Sequence, residues 1–181
     1  MNGTPSISVA MIVLNEAPRL RDLLPQLAWA EEVVVVDGGS SDETIAVAEL
    51  HRCVVVSRKF DNFAAQRNHA LAVCKGSWVL SLDADECPTP ALVEELRGKI
   101  SDPHFDAYRV RIRSTIFGHR MRFSGTQNDT PIRLFRRGSA VWSGHVHEQL
   151  IVPGTVGRLE HAVEHNTLPD LPAFLAKVNR Y

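Results

Sequence analysis

Asp83 and Asp85 stand two residues apart, directly behind the apolar run Trp78 to Leu82. Acidic pairs are common in solvated loops, where a neighbour such as Glu86 serves only as a helix-entry charge. Behind an apolar strand the same pair can divide two jobs. One carboxylate can hold magnesium or manganese, which favour carboxylate oxygens and accept phosphate as a shared ligand; the other can hold a ribose hydroxyl. Asp37 follows four valines and precedes Gly38-Gly39. It can accept from a nucleobase N–H while the glycines let a ligand come close, or it can bond its own turn. Asn15-Glu16 carries the same ambiguity, since Asn15 also suits a helix cap. Glu148, in Trp142-Ser143-Gly144-His145-Val146-His147-Glu148, can be a general base if geometry allows, or a surface carboxylate. His145, His147, His161 and His165 lack the compact spacing of a zinc site, so at most one or two of them are expected to be ligands.

The arginines give a regional signal. Arg109, Arg111, Arg113, Arg120, Arg122, Arg133, Arg136 and Arg137 are opposed by a single carboxylate, Asp129, between residues 109 and 137. Such a stretch can meet a diphosphate, an anionic acceptor or a lipid headgroup surface, with Arg111 and Arg136 as candidate substrate contacts. The bland alternative is the solvent face of antiparallel strands.

The elements that must position these residues alternate in type. Ser6 to Leu14 reads as a strand, followed by a helix with Pro18 in its first turn and Pro25 placed to kink or shorten it. Glu32 to Asp37 reads as a strand buried on both faces. Ser40 and Glu43 have capping-box spacing for the next helix. Cys53 to Ser57 is a third strand, Asn62 caps a helix ended by Gly76, and Trp78 to Leu82 is a fourth strand. Pro90 to Ile100 is helical. This order predicts an α/β fold with a mostly parallel sheet flanked by helices, whose ligands bind outside the carboxyl ends of the strands. Asn15-Glu16, Asp37 and Asp83 to Glu86 would then share one edge. Beyond residue 105, Tyr108, Val110 and Ile112 alternate with arginines as a half-buried strand, and Ile132 to Phe135 with Ala140 to Trp142 reads as a hairpin. Leu171 to Tyr181 reads as the start of a helix without a stop signal, so a truncated chain is expected.

The 181 residues suit one domain with a full core. A formal net charge of −1 argues against nucleic acid as a partner. No apolar run approaches the ~20 residues of a membrane span, and three widely spaced cysteines argue for a reducing compartment rather than a disulfide framework. The expected location is therefore the cytoplasm.

Together these residues resemble family 2 glycosyltransferases. Val9 to Glu16 looks like that family's first strand, and Asp37-Gly38-Gly39-Ser40-Ser41-Asp42-Glu43-Thr44 resembles its D-x-x-S-x-D-x-T segment. Gln66-Arg67-Asn68 and Leu82-Asp83-Ala84-Asp85-Glu86 complete the donor half. Arg133-Leu134-Phe135-Arg136 and Trp142 to Glu148 look most like the lipopolysaccharide core glucosyltransferase group. The resemblance implies a GT-A (Rossmann-like) domain over 1–181, with a nucleotide-sugar half at 1–104 and an antiparallel acceptor and catalytic half at 105–181. It implies inverting transfer from a nucleotide-sugar, with uridine as the expected nucleoside. Asn15, Glu16 and Asp37 would lie around the base and ribose, with Arg67 and Asp83 in the donor pocket. Asp85 and His165 would hold a divalent metal, Mn2+ or Mg2+, and Glu148 would be the base. The expected acceptor is an anionic glycan or glycolipid, met at the inner face of the cell membrane by peripheral contact. Two rivals are a sugar-phosphate nucleotidyltransferase and a non-catalytic nucleotide-sugar-binding module. The first should carry a glycine-rich basic loop where this chain has Asn15-Glu16-Ala17-Pro18.

Overall fold

A computed structural model describes residues 5–117, 119–121, 130–144 and 148–168. The expected helix at 171–181 lies outside these residues, as do His145 and His147. Four strands, β1 (Ile7–Val13), β2 (Glu32–Asp37), β3 (Val54–Ser57) and β4 (Trp78–Ser81), pair in parallel in the order β3-β2-β1-β4. Successive residues of β1 and β2 face opposite ways, as the two-residue period requires. Val9, Met11 and Val35 enter one core with helices α1 (Ala17–Leu23), α2 (Thr44–Leu50) and α4 (Pro90–Ser101). Ala10, Val34 and Val36 enter a second core with α3 (Phe63–Val73). The valine run is thus buried on both faces, as its composition predicts.

Chain direction across the sheet reverses between β1 and β4, because β2 and β3 lie on one side of β1 and β4 on the other. A crevice is expected outside the carboxyl ends at such a switch point, and the acidic residues sit there.

The rest of the sheet is mixed. After β4 come β8 (Ile132–Arg136), β6 (Ala107–Ile116), β11 (Val156–Leu168) and β5 (Glu86–Pro88), with β7 (His119–Arg120) pairing β6. β8 runs antiparallel to both β4 and β6, whereas β11 runs parallel to β6. Here the expected hairpin is corrected. Ile132 to Phe135 does not pair with the following strand but inserts between β4 and β6. β9 (Val141–Ser143) pairs instead with β10 (Gln149–Ile151) in a separate ribbon. Burial drives this: Leu134 and Phe135 are almost wholly buried against opposite faces of the main sheet, a place that a surface hairpin cannot provide.

Three local expectations also meet the structure. Pro25 ends α1 at Leu23, and the chain continues as a short 3-10 turn, Leu24–Leu27. Asn62 caps α3 by accepting from the Ala65 N–H at 2.8 Å. Gly76, however, is not the helix stop, since α3 ends at Val73. A Cβ at Gly76 would lie 2.7 Å from the Ser8 nitrogen, so glycine there permits close approach of β1 to the loop before β4.

Candidate active site

The apolar strand β4 ends at Ser81, and Asp83 to Glu86 follows as a tight turn closed by Glu86 N–H on the Asp83 carbonyl at 3.0 Å. The turn sends the two aspartates to different partners. Asp83 Oδ1 accepts from Arg67 at 2.8 Å and its Oδ2 lies 3.4 Å from Arg133. Asp85 Oδ2 lies 3.3 Å from His165 Nε2, and the Asp85 carbonyl accepts from the Asn166 N–H at 3.1 Å. β11, which the sequence reading missed, is what brings His165 beside the turn, through pairing with both β5 and β6.

Arg67 is the hub. It projects from α3, is nearly buried, and reaches Glu148 Oε1 through Nε at 3.3 Å as well as Asp83. Its guanidinium stacks over Trp142 at 4.8 Å, and its remaining Nη1 is buried without a partner among the described residues. The adjacent Asn68 exchanges two 2.8 Å hydrogen bonds with the backbone of Trp142 and so ties the β9–β10 ribbon to α3. Gln66 donates to the Arg58 carbonyl at 2.8 Å and fixes the loop before the helix. The three residues Gln66-Arg67-Asn68 thus hold loop, site and ribbon respectively, and the ribbon carries Glu148 at its edge.

Beneath this layer, Arg133 on β8 is buried between Asp83 and Glu86, forming a short ion pair with Glu86. Glu86 in turn accepts from the Asp83 N–H at 3.0 Å, which locks the turn. Burial alone would raise the Asp83 pKa, but the charges of Arg67 and Arg133 overcome it and hold the carboxyl well below its usual range. Burial and the nearby Asp83 charge push Glu86 upward, against the pull of Arg133. His165 is raised, chiefly by its hydrogen bond to Asp85, with burial opposing. Neither Arg133 nor Glu86 was singled out from the sequence as a site residue. The available signal was an arginine embedded among the apolar Ile132, Leu134 and Phe135.

A cavity of about 540 Å3 joins these groups outside the strand ends, lined by Leu14, Glu16, Arg19, Gly38, Phe60, Phe63, Arg67, Asp83, Asp85, Glu148 and His165 among others. Glu16 faces it paired with Arg19 at 2.8 Å. Asp37, buried behind Gly38, accepts from Gly39 and Ser40 N–H with Oδ2, while Oδ1 is buried and has no partner among the described residues. The structure shows the turn reading of Asp37, which is not among the residues lining the cavity. Asn15 is not the α1 cap; its Oδ1 accepts from the Ser41 N–H at 2.8 Å.

The arginine stretch divides. Arg136 lies opposite Trp78 in the β4–β8 register, at the start of β4 and so at the sheet edge away from the cavity. There it stacks on Trp78 at 4.9 Å and lies 3.6 Å from Asp106. Arg113 pairs with Glu164 at 3.3 Å, and Arg137 donates to the Gly76 carbonyl at 3.0 Å. Arg111 sits in β6 opposite Ala162, further toward the carboxyl-end edge. Of the other histidines weighed as ligands, His161 lies against Glu95 at 2.9 Å. Burial pushes the thiols of Cys53 up to about 11 and Cys74 up to about 12, and raises Cys87, so these cysteines stay protonated near neutral pH.

The family model for glycosyl transferase family 2 matches residues 8–149, a span that holds the switch-point crevice, Arg67, the acidic turn and Glu148. The chain belongs to this family. It is 32% identical over 133 residues to an uncharacterized glycosyltransferase of Rickettsia bellii, covering 73% of this chain and 43% of that protein. It is 30% identical over 159 residues to the lipopolysaccharide core biosynthesis glycosyltransferase LpsC of Rhizobium meliloti, covering 83% of this chain and 59% of LpsC. The chain thus spans about half the length of these relatives. Among solved structures, S. aureus TarS 1-349 in complex with UDP-GlcNAc superposes with a TM-score of 0.66 at 18% identity, over 89% of this chain and 58% of that one. The Mycobacterium tuberculosis glucosyl-3-phosphoglycerate synthase, in complex with Mn2+, UDP-glucose and phosphoglyceric acid, gives a TM-score of 0.50 at 25% identity, over 60% of this chain and 44% of that one. The fold is GT-A: an α/β domain with a mixed sheet between helices.

Proposed function

We propose that this chain is the donor-binding and catalytic domain of an inverting, metal-dependent hexosyltransferase that uses a UDP-sugar in cell-envelope glycan synthesis, with lipopolysaccharide core as the favoured product. The observation that carries the reading is the convergence of Glu148, Arg67 and Asp83 in one cavity with Asp85 and His165. Within this GT-A domain, residues 1–104 form the nucleotide-sugar-binding half and 105–181 belong to the acceptor and catalytic half. Lipopolysaccharide core is supported by the likeness to LpsC, and UDP and Mn2+ by the glucosyl-3-phosphoglycerate synthase.

Among the described residues no group of three or more His, Cys, Asp or Glu side chains is placed to hold a metal ion, so the protein would supply two ligands and the donor the rest. Asp85 Oδ2 and His165 Nε2 are 3.3 Å apart on separate elements, close to the roughly 3 Å expected for two neighbouring ligands with bonds of ~2.1 Å. A carboxylate and an imidazole together suit manganese. Asp85 and His165 would hold the ion, and the diphosphate would complete its shell. The ion would offset negative charge growing on the departing nucleotide. Asp83, turned toward Arg67 and Arg133, is left for the donor sugar or ribose. Asp37 Oδ1 accepts from a base N–H, and Asn15 and Glu16 border the base and ribose.

The acceptor oxygen attacks the anomeric carbon as the bond to the diphosphate breaks, and the configuration inverts. Glu148, oriented by Arg67, takes the proton from the attacking hydroxyl. Arg111 is the candidate contact for an anionic acceptor, and the phosphoglyceric acid held by the mycobacterial synthase supports an acidic one. Arg136 would act on the acceptor only from the far edge of the sheet. We place the enzyme at the cytoplasmic face of the membrane, in peripheral contact. No helix among the described residues is long and apolar enough to cross a membrane.

Thermal melting with a panel of nucleotide sugars and Mn2+ tests the donor assignment, because a ligand that binds only the native state raises stability by mass action. UDP-sugars should raise the Tm and do so more with Mn2+. An unchanged Tm with every UDP-sugar, at concentrations far above a micromolar Kd, would contradict it.

A further inference from the structure

Three consecutive backbone N–H groups at the start of α1 are taken up by three side chains of the segment that joins β2 to α2 and begins that helix. The Asn15 N–H donates to Ser40 Oγ at 2.8 Å, the Glu16 N–H to Thr44 Oγ1 at 2.8 Å, and the Ala17 N–H to Asp42 Oδ2 at 3.2 Å. Thr44 is fully buried and donates its hydroxyl hydrogen bond to Asp42 Oδ1, which also accepts the Thr44 N–H at 3.0 Å. At α2 the N-cap residue Glu43 makes no side-chain cap bond, and of this motif only Asp42 meets an α2 donor, the Thr44 N–H. The three side chains also meet the start of α1 from the adjoining segment after β2, satisfying donors that a helix start otherwise leaves open.

The two segments that this clamp joins are two walls of the cavity. Leu14, Glu16 and Arg19 line it from the β1–α1 side; Val36 and Gly38 line it from the β2–α2 side. The clamp also continues to Asp37, because the Ser40 N–H that follows is held by Asp37 Oδ2 at 3.0 Å. In return, Asn15 Oδ1 accepts from the Ser41 N–H, and Asn15 adopts a left-handed φ of 56° that such local bonding stabilises. The free oxygen of Asp37 and the opposite wall are thus joined by a continuous chain of hydrogen bonds.

We infer that Ser40, Asp42 and Thr44 are positioning residues that hold the Asn15–Ala17 wall of the nucleotide cavity in place against the β2–α2 segment, without touching the nucleotide themselves. This rests on the reading of the cavity as the donor site. One consequence concerns the phosphates. Helix starts often bind phosphate with open N–H groups, but here the Asn15, Glu16 and Ala17 N–H groups are occupied and are not offered to the diphosphate.

The test is calorimetric titration of UDP onto the parent, Ser40→Ala, Thr44→Val and Thr44→Ser, well below each Tm, with donor KM and kcat measured alongside. Thr44→Val keeps the buried shape and removes the hydroxyl. It and Ser40→Ala should each weaken UDP by about tenfold and raise donor KM with kcat little changed, while Thr44→Ser should bind as the parent does. If Thr44→Val does not fold, Ser40→Ala, at a partly exposed position, decides the matter. Folded variants with lower Tm but parental UDP affinity would overturn the positioning role and leave the donor reading intact. A parent that binds no UDP would overturn both.

Discussion

At the scale of single residues, the acidic turn separates its two aspartates by their partners. Asp83 is neutralised by Arg67 and Arg133, whereas Asp85 meets only His165 among the ion pairs of the described residues. Asp85→Asn should therefore keep the fold and remove the Mn2+-dependent part of UDP-sugar binding, because an amide is a far poorer ligand for a hard cation. Calorimetry with and without Mn2+ reads this directly, and undiminished metal dependence in the folded variant would remove Asp85 from the ligand set. The candidate positions Asp37, Arg67, Asp83, Asp85 and Glu148 were legible because each is a charged residue behind an apolar run or in a recognisable motif. Arg133 and Glu86 were not, because their importance depends on β8 lying beside β4. The roles of Ser40, Asp42 and Thr44 were hidden for a related reason: local spacing suggests a cap for the next helix, while the donors they serve lie about 25 residues earlier.

At the scale of elements, the parallel half of the sheet was readable from alternation, valine runs and caps. The mixed half was not. β11 is rich in charged and polar residues, and its place is decided by neighbours rather than by its own pattern. One contact makes that placement testable. Glu95 on α4 accepts the Glu160 and His161 N–H groups and bonds the His161 ring at 2.9 Å, fastening helix to strand. Burial favours its neutral form, but these hydrogen bonds outweigh burial and lower the Glu95 pKa from an ordinary 4.5. A lowered folded-state pKa gives stability that is fully present above the unfolded pKa and lost as pH falls through the folded one. Glu95→Gln should cost about 1–2 kcal/mol at neutral pH, as expected for hydrogen bonds to a charged group. The difference from the parent should shrink below pH 4.5. Denaturant unfolding across pH 3–7 checks it, and a gap that stays constant with pH would show that the charge is not what fastens α4 to β11.

At the scale of the whole molecule, the decisive feature is that distant parts of the chain meet. Arg67 and Asp83 come from the parallel half, and Glu148 from a ribbon 81 residues beyond Arg67. The ribbon is held by Asn68 and by the stacking of Arg67 on Trp142, so the helix that carries Arg67 into the cavity also brings Glu148 there. This arrangement predicts a clean separation of binding from chemistry. The measurement that tests it most directly is single-turnover sugar transfer by Glu148→Gln, with UDP-sugar affinity measured on the same preparation. Glutamine keeps the shape and a hydrogen-bond acceptor for Arg67 but cannot take the proton. The account predicts a fall in transfer rate of at least ~100-fold, the low end for a general base, with donor affinity changed less than about threefold. Transfer at the parental rate by a folded Glu148→Gln protein would contradict it.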